Sequence, residues 1–110
     1  MTKQELATLL DELNIQVNEG IQSDENTGIY PRIVYWEFVW DSLTASGDEY
    51  DTKVTYQLSF FSKVPRDPKL IELKQKLNEK GLFPVIQHEY IQEDKHFHSY
   101  LAIEVLENVW

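Results

Sequence analysis

Cysteine is absent from this 110-residue chain, which excludes a disulfide framework, a zinc-thiolate centre and a thiol nucleophile. No apolar run approaches the roughly 18 residues that a membrane-spanning helix needs, and Met1 to Leu10 hold no apolar core of a secretion signal. A soluble, unexported protein is the expectation. Basic residues are scarce: ten Lys and Arg stand against nineteen Asp and Glu, a formal charge of −9 at pH 7. Repulsion therefore disfavours a general phosphate-binding surface. The same charge suits an ordinary solubilising surface, or an acidic lining or mimic that faces DNA or a basic partner. Catalytic signatures are missing as well, with no glycine-rich phosphate loop, no HExxH and no nucleophile elbow, and Ser42, Ser59 and Ser62 lack a context that would activate them. The chain is expected to be non-catalytic and to need no cofactor.

What the chain does have is a pattern of alternation. Between Pro31 and Lys63 it writes two long strands, Ile33 to Asp41 and Tyr50 to Ser62, around a polar connection from Ser42 to Asp51. Val34, Trp36, Phe38 and Trp40 form one side-chain set of the first strand, matched by Val54, Tyr56, Leu58 and Phe60 on the second. Thr55, Gln57 and Ser59 take the other face, as in a half-buried antiparallel sheet. A second pair, Phe83 to Gln92 and His96 to Leu106, turns at Glu93, Asp94 and Lys95. Thr2 and Glu5 make a capping box ahead of Leu6, Leu9, Leu10 and Leu13 at helical spacing. Asn14 to Val17 reads as a brief extended segment and Gly20 to Gly28 as a polar loop. Asp67 and Pro68 open a second helix through Leu70, Ile71, Leu73 and Leu77, and Gly81 stops it. The expected fold is α+β in one domain, residues 1–110. It has a single antiparallel or mixed sheet of about four main strands in two hairpins, with both helices packed on one face.

Three features bear on function. His96 and His98 are two apart on a strand, with His88 on its partner and Glu89, Glu93 and Asp94 nearby, so three imidazoles could close on zinc. The competing reading leaves the histidines on the solvent face, and no metal site is assigned. Trp36 and Trp40 could stack on a base, but their apolar flanks and the lack of an arginine cluster favour core packing. Glu37 interrupts the set Ile33, Tyr35 and Val39, so that set reads as a half-apolar exposed face of the kind oligomers use. Tyr35, Glu37 and Val39 are the interface candidates, to be tested by inserting charge at Tyr35 or Val39. Trp110 either anchors a neighbour or folds back.

The chain resembles the tail-completion or tail-terminator proteins of long-tailed bacteriophages and prophages, the small head-tail joining proteins. The resemblance covers most of its length. It rests on the opening helix, on Tyr30-Pro31-Arg32-Ile33-Val34-Tyr35, on the acidic turn, and on Thr55-Tyr56-Gln57-Leu58-Ser59-Phe60-Phe61-Ser62-Lys63. The second helix, Gly81-Leu82-Phe83 and the closing hairpin with Glu93-Asp94-Lys95 complete it. It implies a structural subunit that assembles with itself, usually as a hexameric ring, at the head-proximal end of the tail tube. There it stops tube growth and meets the head connector or stopper. Its place is the virion, after assembly in the host cytoplasm, with DNA passing through unbound. Loop carboxylates Asp24, Glu25, Asp48, Glu49 and Asp51 are candidates to line such a channel. Two other classes remain open: an acidic DNA mimic that inhibits a nucleic-acid enzyme, and a small metal-binding module built on His88, His96 and His98.

Overall fold

The computed structural model of the chain describes residues 1–20, 28–45 and 48–107, the side chains of residues 42–51 excepted. Helix α1 spans Lys3–Asp11. Thr2 Oγ1 accepts the Glu5 amide at 3.1 Å, satisfying one of the amides a helix start leaves without a partner. After the helix the chain reverses through Asn14, whose φ of 56° is a conformation asparagine tolerates. It then runs into strand β1, Gln16–Glu19.

Strands β2, Arg32–Ala45, and β3, Asp48–Ser62, form the long hairpin. Helix α2, Pro68–Glu79, follows. Asp67 Oδ1 accepts the Lys69 amide at 2.9 Å, and Pro68 occupies the first helical position, where its missing N–H costs nothing. At the other end Gly81 takes φ +80°, and the amides of Gly81 and Leu82 donate to the carbonyls of Asn78 and Leu77. This closure needs a left-handed residue, which glycine supplies without a Cβ penalty. Strands β4, Gln87–Ile91, and β5, His96–Glu107, complete the chain.

The sheet has five strands in the order β1-β2-β3-β5-β4. Only β1 is parallel to its neighbour β2, so the fold is α+β on a mixed sheet. Residues directly opposite each other share a face, and the pairings therefore fix both faces. Rows Ile33–Phe60–Ser99–His88, Tyr35–Leu58–Leu101 and Trp40–Val54–Val105 lie on one side. Leu6, Leu9, Leu10 and Leu13 from α1 and its end, and Leu70, Leu73 and Leu77 from α2, pack against that side in one cluster. Among the described residues no helix is long and apolar enough to cross a membrane.

The structure reverses one expectation about β2. Ile33 and Tyr35 lie in the core, Tyr35 only 6% exposed with its ring 5.8 Å from that of Tyr56, while Trp36, Phe38 and Trp40 are exposed. Period two divides a strand into two sets without saying which is covered. Here β3 decides, because Phe60 and Leu58 stand opposite Ile33 and Tyr35. A β-bulge then shifts the register between Glu37 and Val39, leaving Phe38 as the extra residue. Past it, Val39 faces the open side opposite Thr55, and Trp40 the helix side opposite Val54. The connection between the strands is also shorter than expected. Asp48, Glu49 and Asp51 belong to the backbone of β3 rather than to a loop. The last pair is correspondingly trimmed, with β4 beginning at Gln87 instead of Phe83.

Candidate interaction surfaces

The hairpin is the first surface. Beyond Tyr35 it carries Phe38 at 52% and Trp40 at 60% exposure, with Trp36 and Val39 also exposed. Trp40 Nε1 donates to Glu37 Oε2 at 3.0 Å, so the largest exposed ring is held beside a carboxylate. Strand β1 pairs with β2 only as far as Tyr35. From Trp36 to Ala45 the outer edge of β2 meets no strand among the described residues, leaving backbone donors and acceptors available to another chain.

The second surface is the open face of the sheet at its other end. One row crosses all five strands, Gln16–Arg32–Phe61–His98–Glu89. From Arg32 to Glu89 its neighbours touch in turn, although His98 Nε2 is buried without a hydrogen-bond partner among the described residues. The Arg32 guanidinium lies 4.5 Å from the Phe61 ring centre and 4.7 Å from that of Tyr30, and Phe61 stacks on His98 at 4.7 Å with the planes 9° apart. His98 Nδ1 bonds Glu89 Oε1 at 2.9 Å, and Tyr100 packs against the same imidazole. Arg32 is buried and donates to the Ile29 carbonyl, so it is not a cation offered to phosphate.

The three histidines do not converge. His88 turns to the helix side and bonds the Ser99 hydroxyl at 2.7 Å, while His96 and His98 lie on the open face, and His98 pairs with Glu89. His96 is buried and bonded to the Tyr30 hydroxyl at 2.7 Å. Burial holds its pKa below the ordinary imidazole value, and the nearby Arg32, Lys63 and His98 act in the same direction against Asp94. Among the described residues no group of three or more His, Cys, Asp or Glu is placed to hold a metal ion. The converging trio that the spacing allowed as an alternative is therefore not formed. Adjacent strand positions point to opposite faces, and the β4–β5 register sets His88 beside Ser99.

The third surface is a cleft of about 480 Å³ between α2 and the chain leading into β4. Arg66, Leu70, Ile71, Lys74, Pro84, Ile86 and His88 line it. Its floor is apolar, with Ile71 45% exposed, and Arg66 and Lys74 are exposed cations at its rim. Neither makes an ion pair among the described residues, whereas Lys69 and Lys76 are tied to Glu72 and Glu12.

No protein-family model matches the chain, and no curated protein does. The function must be read from these surfaces. Of the candidates named from sequence, Tyr35, Glu37 and Val39 do not form one face. Tyr35 is core, Glu37 sits beside Trp40, and Val39 is across the sheet. Asp24, Glu25 and Trp110 lie outside the described residues, as do the side chains of Asp48, Glu49 and Asp51. The cleft was missed by sequence reasoning. Its signal is nonetheless present, since Lys63, Arg66, Lys69, Lys74, Lys76 and Lys80 place six of the ten basic residues in one short segment.

Proposed function

We propose that the chain is a non-catalytic assembly subunit of a long-tailed bacteriophage or prophage. It caps the head-proximal end of the tail tube and joins the tube to the head connector or stopper, as a ring of copies. The carrying observation is the hairpin, which leaves the core with exposed apolar side chains on both faces and an unpaired edge. Such a ribbon exposes apolar surface and backbone groups that a partner chain would cover. The sequence resemblance supplies the kind of partner and the ring, six copies being the usual number in that family. Residues 36–51 hold Glu37, Asp41, Asp48, Glu49 and Asp51 without a Lys or Arg. Carboxylates of this kind around a channel repel phosphate and let DNA pass without sticking.

The same acidic run supports a second reading, an inhibitor that mimics DNA and binds a basic enzyme as a monomer or dimer. Native mass measured against protein concentration, with negative-stain images of the same samples and of samples containing growing tail tubes, separates the two. The assembly role gives closed rings with a central hole and tubes that stop elongating. Monomers at every concentration, with tubes that grow on unaffected, would overturn it.

A further inference from the structure

The contact between copies can be specified further, resting on the reading of the chain as an assembly subunit. We propose that it is head-to-tail: Trp40 and Glu37 of the hairpin of one copy seat in the cleft between α2 and Pro84 to His88 of the next.

The chemistry of the two surfaces is reciprocal. The hairpin offers an exposed indole at Trp40 beside the Glu37 carboxylate on the same face, within a stretch, residues 36–51, that carries five acidic residues and no basic one. The cleft offers an apolar floor at Leu70, Ile71, Pro84 and Ile86 under the Arg66 and Lys74 cations. Its volume falls in the roughly 300–1,000 Å³ range of clefts that enclose a group of this size. Residues 63–80 carry six basic and three acidic residues, a local charge of +3 in a chain of −9. An indole in an apolar cleft with its neighbouring carboxylates on cations is the composition of an interface anchor.

Charge also selects the occupant. Two hairpins together would bring one stretch of net charge −5 against another, and two clefts would oppose cations to cations. A second copy placed head-to-tail brings a stretch of net charge −5 to a segment of net charge +3. The cleft cannot be filled by its own hairpin. His88 lies in the row of Phe60 and Trp40 in the row of Val54, six residues apart along β3, or about 20 Å, and on strands at opposite sides of β3. A surface pair of this kind repeats from copy to copy and closes into a ring where the rotation permits.

The chain has no cysteine, so single introduced thiols report one contact each. Val39→Cys marks the back of the open-edged strand that carries the anchor, leaving Trp40 and Glu37 intact, and Ile71→Cys marks the cleft floor. The two variants are mixed, at concentrations up to the millimolar range, with a bis-maleimide long enough to pass round the unpaired edge of β2, and again in the presence of tail tubes. The expected product is a cross-linked pair joining Val39→Cys to Ile71→Cys, at least about tenfold more abundant than the product of either variant alone. In parallel, Trp40→Ala mixed with Ile71→Glu should stop at heterodimers by native mass, because that mixture keeps one intact hairpin and one intact cleft. Val39→Cys linking chiefly to itself, or no hairpin-to-cleft product in either setting, would overturn the contact. Rings without that cross-link remove the contact and leave the tail reading standing. The cross-link without rings or any effect on tubes does the reverse.

Discussion

His96 shows how a single side chain here couples structure to pH. It is enclosed by Tyr30 and Phe61 and lies near Arg32 and Lys63, so protonation would add a third positive charge close to these two. Its folded pKa is lowered, while the unfolded chain keeps the ordinary value near 6.5. The unfolded state therefore binds the proton first. The stability that neutral His96 contributes is complete above about pH 6.5 and falls as pH drops through that value towards the folded pKa. The urea midpoint of the chain should decrease between pH 7.5 and 5.5, before most carboxylates titrate. In His96→Gln that decrease should be shallower, with His88 and His98 retained in both proteins and cancelling in the comparison. Equal slopes would show that the His96 environment does not carry the effect.

At the scale of elements, the β2 bulge decides which surfaces exist, and it separates two substitutions that look alike in sequence. Tyr35→Glu places a carboxylate in the core cluster and should cost several kcal/mol, enough to unfold a marginal domain. Val39→Glu, on an exposed position past the bulge, should change stability by about 0.5 kcal/mol or less while weakening association. Thermal melts and native mass on both proteins check this. Only Val39 reports on assembly, which narrows the test that the alternating pattern proposed. Both helices were legible, because Thr2, Asp67, Pro68 and Gly81 are local signals whose partners lie within a few residues. The short extended segment near Val17 was legible too, but not its parallel pairing with β2. The covered face of β2 was not, since it depends on what β3 brings opposite. Nor was the cleft, which exists only once α2 lies beside residues distant in sequence. The exposed Trp36 and Trp40 follow from the same limit. Hydrophobicity alone assigned them to a core that does not extend along the whole hairpin.

Across the whole molecule, charge is segregated rather than spread. The elongated body measures 51 × 30 × 22 Å, and the −9 total is the sum of +3 in residues 63–80 and −12 elsewhere. Two opposing effects follow for association. Net repulsion pushes copies apart, and the local match of acidic hairpin to basic cleft draws them together at short range. Glu37→Lys distinguishes which governs, because it reduces the net charge from −9 to −7 yet removes the favourable partner of the cleft beside Trp40. If repulsion dominated, association would strengthen. The head-to-tail match instead predicts a loss of about tenfold in affinity, corresponding to roughly 1.4 kcal/mol. Lys74→Glu alone, at −11, should weaken association under either effect. The double variant Glu37→Lys/Lys74→Glu returns to −9 and restores opposite signs across the contact, so it should recover most of the affinity lost in Glu37→Lys. Sedimentation equilibrium on the four proteins at one ionic strength measures the cycle. Tighter association of Glu37→Lys than of the unsubstituted chain would show that global repulsion, not the pairing of hairpin and cleft, sets how copies meet.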